Sequence, residues 1–179
     1  ADAWRAYTRA FIAEFAARGG DEFEAAVRAC AACENPDIAW RARRALAARG
    51  LADEQTIAAW RDADGSGEAA RMSAEALASL PDEAARSRAW ESTNSDTLSN
   101  DYPSATLAGL QASSWEGASG IPEAVERLRS YWESHTIGMS LRYAAGVLDL
   151  GVDVDREGSV EASVHLLRSW LAAHEDAPA

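Results

Sequence analysis

Asp37-Ile-Ala-Trp-Arg-Ala-Arg-Arg-Ala-Leu-Ala-Ala-Arg-Gly50 decides the fold class. Ile38, Ala42 and Leu46 fall four apart, so they form one stripe of a helix of period 3.6. Alanine is the strongest helix former, and Gly50 supplies the stop. Just upstream, Asn35-Pro36-Asp37 breaks the chain. Just downstream, Asp53 reads as the N-cap of a further helix carrying Ile57 and Trp60, which Asp62 to Gly67 terminates.

The same pattern extends in both directions. Towards the start, Trp4, Tyr7, Phe11 and Phe15 form an aromatic stripe on a first helix that ends at Gly19-Gly20, and Phe23, Val27 and Cys30 mark a second. Towards the end, Met72, Ala76 and Leu80 mark a fifth helix closed by Pro81-Asp82, and Ala85, Ala89 and Trp90 a sixth. Asn100 reads as the N-cap of a seventh through Leu107 and Leu110, with Pro103 tolerated in its first turn. Ile121, Val125, Leu128 and Trp132 define an eighth behind Pro122, and Leu141, Ala145 and Leu148 a ninth ending at Gly151. Val160, Val164, Leu167 and Leu171 define the last. Val147 to Val154 comes closest to a strand, but Gly151 and two aspartates interrupt it. The expectation is an all-α chain, 1–179 forming a single helical-repeat domain. About ten antiparallel helices, with helix pairs recurring every ~35 residues, predict an irregular α-α superhelix, a HEAT-like solenoid.

Composition excludes several classes. The 179 residues include 41 Ala, 17 Arg, no Lys and 29 Asp plus Glu, for a net charge of -12. Such a charge opposes binding to phosphate backbones and anionic membrane surfaces, so neither nucleic acid nor membrane is an expected partner. The longest uncharged stretch, Tyr102 to Trp115, is broken by Pro103 and Gly109 and falls short of the ~20 apolar residues of a spanning helix. Two cysteines give no disulfide framework, and the expected compartment is the reducing cytoplasm. The chain starts at Ala1 without an initiator Met or a secretory segment, which leads us to expect a piece of a longer protein.

Motifs for chemistry are weak throughout. H-E-x-x-H, nucleophile-elbow and phosphate-loop patterns do not occur. His165 and His174 are nine apart and point to different faces, while His135 stands alone. Asp62, Asp64, Ser66 and Gly67 open like a calcium loop, yet Ser73 stands where the bidentate Glu belongs, so a polar turn is expected. Cys30-Ala-Ala-Cys33 sits late in a helix rather than at a helix start, and no second pair completes a zinc site. Both are expected to act as small buried hydrophobes. No catalytic, cofactor-binding or metal-ligating residue is assigned. Arg41, Arg43 and Arg44 are the candidate contacts for an anion or a peptide carboxylate, since a guanidinium binds such groups bidentately. The competing expectation is a solvated face paired with Glu34 or Asp37. The seven Trp are spread along the chain, as expected for packing between successive helix pairs.

Several segments resemble a known family in order and spacing. Asp37 to Gly50, followed by Ala52-Asp-Glu-Gln-Thr-Ile-Ala-Ala59, is similar to the "D-L-R-W…L…G, A-D-E…I-A-A" helices of the C-terminal helical domain of actinobacterial aminopeptidase N. That helical domain of a zinc-metallopeptidase family is shared with the endoplasmic-reticulum and puromycin-sensitive aminopeptidases. Ala89-Trp90-Glu-Ser-Thr, Asp96-Thr-Leu-Ser-Asn100 and Leu107-Ala-Gly-Leu110 resemble its "A-W…T…D-T-L-S-N…L-A-G-F" stretch. Glu123 to Trp132 resembles "Y-V-x-R-Y-F", and Tyr143-Ala-Ala-Gly-Val-Leu resembles "L-A-x-G-L-F-P", with Asp149 in place of the family's proline. The resemblance implies a non-catalytic roof that encloses the peptide chamber and limits access to a preceding catalytic domain. Zinc belongs to that domain, and this chain is expected to hold no cofactor of its own. The implied partners are the catalytic domain and, through the parent enzyme, peptide substrates. The alternative is a free-standing helical-repeat scaffold that binds a protein along its groove.

Overall fold

A computed structural model describes residues 2–93, 101–112 and 121–150, together with isolated positions between 161 and 173. All regular structure among the described residues is helical: nine helices and no strand. The chain divides into two compact units, Ala1–Trp115 and Glu116–Ala179. The first contains α1 (Asp2–Arg18), α2 (Asp21–Ala31), α3 (Pro36–Ala48), α4 (Glu54–Ala63), α5 (Ala69–Ala78), α6 (Glu83–Ser92) and α7 (Asp101–Ala112). The second contains α8 (Ile121–Ser134) and α9 (Ile137–Leu150). No helix among the described residues is long and apolar enough to cross a membrane.

The decisive stretch folds as α3, one residue earlier at its start than expected. Asn35 is the N-cap, its side-chain oxygen accepting from Ile38 N at 3.2 Å, and Pro36 occupies the first turn where no amide is needed. At the other end Gly50 takes a φ of 68°. Its N–H donates to the Ala47 carbonyl, and the Leu51 N–H donates to that of Leu46, a Schellman motif that closes the helix. Asp53 and Asp82 cap α4 and α6 in the same manner as Asn35, accepting from Thr56 N and Ala85 N.

Eight of the 13 residues of α3 are buried, because the helix serves two cores. Ile38, Ala42 and Leu46 join Ile12 and Phe15 of α1 and Val27 of α2, while Trp40 and Ala47 join Ile57, Ala76 and Ala85 from α4, α5 and α6. Within this unit α1 packs on α3, α3 on α5 and α5 on α7. Helix α2 lies against α1 and α3, α4 against α5, and α6 against α5 and α7. Gly109 marks the tightest crossing: a Cβ there would meet the Glu75 carbonyl oxygen and come within 2.7 Å of Ala78 Cβ. Small residues at both sides of the α5–α7 contact let the two backbones approach.

Three expected stripes are rotated. On α1 the buried residues are Thr8, Ile12 and Phe15, whereas Trp4 is 73% and Tyr7 76% exposed. On α8 Tyr131 is buried and Trp132 exposed, and on α9 Ser140, Tyr143 and Val147 are buried while Leu141 and Ala145 face outward. A shift of one residue turns a helix by about 100°, and each of these helices carries apolar residues on both candidate faces. Tyr131 stacks on Tyr143 with ring centroids 4.1 Å apart, and this contact couples α8 to α9. The expected last helix, with the N-cap at Asn100 and the side chains of Ile121 and Val125, lies outside the described residues except at scattered positions such as the exposed Val164.

Candidate functional site

The three arginines of α3 do not act together. Arg41 and Arg44 are one turn apart and share a face, whereas Arg43 points away from both. Arg41 Nε donates to Asp37 Oδ1 at 3.0 Å, and the other carboxylate oxygen accepts from Arg9 Nε and Nη2 at 3.0 and 2.8 Å. Partial burial raises the Asp37 carboxyl, but the hydrogen bonds from Arg9 and Arg41 outweigh it and hold the group below the usual carboxylate range. Arg44 forms an ion pair with Glu75 of α5. Asp37, Trp40, Arg41, Arg44, Arg71, Met72 and Glu75 line a groove of about 240 Å³ between α3 and α5. Asp37 is thus the partner the sequence suggests for one arginine, and Glu34 pairs with none of the three among the described residues.

Arg43 faces the opposite side. Its guanidinium lies 4.8 Å from the Trp40 ring centroid and 5.7 Å from that of Trp60, and Nε donates to the Ala31 carbonyl at 3.1 Å. Burial pulls its pKa down from the ordinary arginine value, opposed by the charge of Asp64 and by Cys33. Asp64 is committed elsewhere: Oδ2 accepts from Trp40 Nε1 at 2.6 Å and Oδ1 from Ser66 N at 2.9 Å. These hydrogen bonds, the one from Trp40 foremost, hold the Asp64 carboxyl below its ordinary value. The Asp62–Gly67 turn therefore anchors a buried tryptophan of α3. Sequence reasoning missed this pairing, since nothing in the spacing of Trp40 and Asp64 signals it.

Cys30 and Cys33 are free and half-buried rather than fully enclosed, sitting in the last turn of α2 and just past it, packed against the α1–α3 core. Burial, followed by the neighbouring Cys33, pushes the Cys30 thiol up. Cys33 Sγ donates to the Asn35 carbonyl at 3.5 Å. Among the described residues no three His, Cys, Asp or Glu side chains are placed to hold a metal ion. His135 stacks on Tyr131 with centroids 3.8 Å apart, while His165 is exposed and His174 lies outside the described residues.

No protein-family model matches the chain. No curated protein matches it either.

Proposed function

We propose that this chain is the non-catalytic C-terminal helical domain of a cytoplasmic zinc aminopeptidase of the aminopeptidase N kind. In this reading it forms an α-α superhelix that roofs the peptide chamber and limits access to the preceding catalytic domain, which carries the zinc. The observation that carries the reading is the coincidence of the family-like segments with separate helices in family order. Asp37 to Gly50 spans nearly all of α3 and its glycine stop, Ala52 to Ala59 opens α4, Ala89-Trp90 lies on α6, and Leu107 to Leu110 lies on α7.

Three further features support it. The contacts α1–α3, α3–α5 and α5–α7, with even-numbered helices against that row, follow the logic of stacked helix pairs. Trp4 and Tyr7 leave an aromatic face on α1 open to solvent, and a preceding domain would cover it. The groove holding Arg41 and Arg44 offers both charge signs to a peptide.

Two enzymatic measurements test the assignment. The isolated 179-residue chain is expected to release no amino acid from aminoacyl p-nitroanilides with or without added zinc. Chelator-sensitive hydrolysis by this chain would overturn the assignment of chemistry to another domain. In the parent enzyme, deleting the domain is expected to abolish discrimination between short and long peptides, and unchanged length dependence would contradict a roofing role.

A further inference from the structure

We propose that the groove where α2, α3 and α4 meet binds a small organic oxyanion carried on a flat apolar body. Arg28, Ala31, Arg43, Leu46 and Trp60 supply its walls. Its volume, about 370 Å³, lies in the range of small-molecule sites. The lining combines the buried Leu46 and Ala31 and the aromatic Trp60 with two arginines from different helices.

Arg43 is what distinguishes the groove from an ordinary surface cleft. Among the described residues it is the arginine of α3's cluster that has no carboxylate at ion-pair distance, in a chain with 29 acidic side chains against 17 arginines. Its Nε is spent on the Ala31 carbonyl, and its terminal amino groups find no acceptor among the described residues. Its half-buried guanidinium stacks on Trp40 and Trp60, and the nearby charge of Asp64 acts on it from beyond ion-pair distance. An incoming carboxylate or phosphate would accept from its terminal amino groups in the forked geometry a guanidinium prefers. Arg28 adds a second cation; its Nη2 reaches the Leu51 carbonyl at 3.3 Å, and its own carboxylate partner, Glu24, is not among the residues lining the groove. The site is independent of the aminopeptidase assignment, and either can fail without the other.

Titration calorimetry with benzoate, phenyl phosphate and the neutral benzyl alcohol tests the proposal on the intact chain. Saturable binding of at least one anion is expected, with benzyl alcohol weaker by about tenfold or more. Benzoate binding tighter than phenyl phosphate assigns the oxyanion to a carboxylate source, and the reverse order assigns it to a phosphate source. Arg43→Gln should weaken the anion by about tenfold, and Arg28→Gln, at an exposed position that leaves the core intact, by a smaller factor. Circular dichroism on both variants separates loss of binding from loss of fold. Equal affinity for the alcohol, no saturable anion binding, or folded Arg43→Gln and Arg28→Gln variants that bind as the parent chain does would overturn it.

Discussion

Single residues at helix ends set the boundaries of this chain. Asn35, Asp53 and Asp82 each satisfy an amide that the first helical turn leaves free. Asn35→Ala removes such a bond and is expected to lower stability by about 1 kcal/mol in denaturant unfolding. A midpoint unchanged from the parent chain would show that the cap contributes nothing. Asp53 was legible because it stands directly before an apolar-periodic run. The Asn35 cap was not, because Asn35-Pro36-Asp37 reads equally well as a break in the chain. Carboxyls also link the fold to pH. Asp37, Asp53 and Asp64 all lie below their ordinary values in the folded chain. Their contribution is therefore complete above the unfolded carboxylate value of about 3.9 and is lost as pH falls from there through the lower folded-state values. The thermal midpoint should hold from pH 7 to about 5 and drop below about 4, and Asp64→Asn should reduce the size of that drop. A midpoint that stays level to pH 3 would refute the linkage.

Whole elements show how far periodicity reaches. It placed α3 correctly because Ile38, Ala42 and Leu46 form an apolar stripe flanked by arginines, and all three are buried. It misplaced the faces of α8 and α9, where Trp132 competes with Tyr131 and Leu141 competes with Tyr143. Sequence spacing cannot choose between two apolar stripes on one helix; the Tyr131–Tyr143 stack makes that choice through a contact between helices. Close approach of elements was legible only in outline. Nothing in the local sequence showed that Gly109 would sit against the α5 backbone. Gly109→Ala should force α5 and α7 apart and destabilise the chain by roughly 1–3 kcal/mol, even though alanine favours helix over glycine. A neutral or stabilising result in denaturant unfolding would mean that the crossing is looser than described.

At the scale of the whole molecule, acidic charge and the helical character of the described residues were legible from composition and patterning. The candidate site was legible only as a cluster of arginine letters. Helical geometry sends Arg41 and Arg44 to one groove and Arg43 to another, and Arg28 enters the second from a different helix. Contacts across helices carry no local sequence signal, which is why Arg28 and Asp64 escaped notice. The proposed function rests on the ordered family-like segments and on the helices that carry them. The most direct measurement is to read the coding sequence upstream of Ala1. An open frame continuing for several hundred residues is expected, with H-E-x-x-H, a distant glutamate and G-x-M-E-N in the catalytic portion. A start codon beside Ala1 with no such motif upstream would contradict it and leave a free-standing helical scaffold.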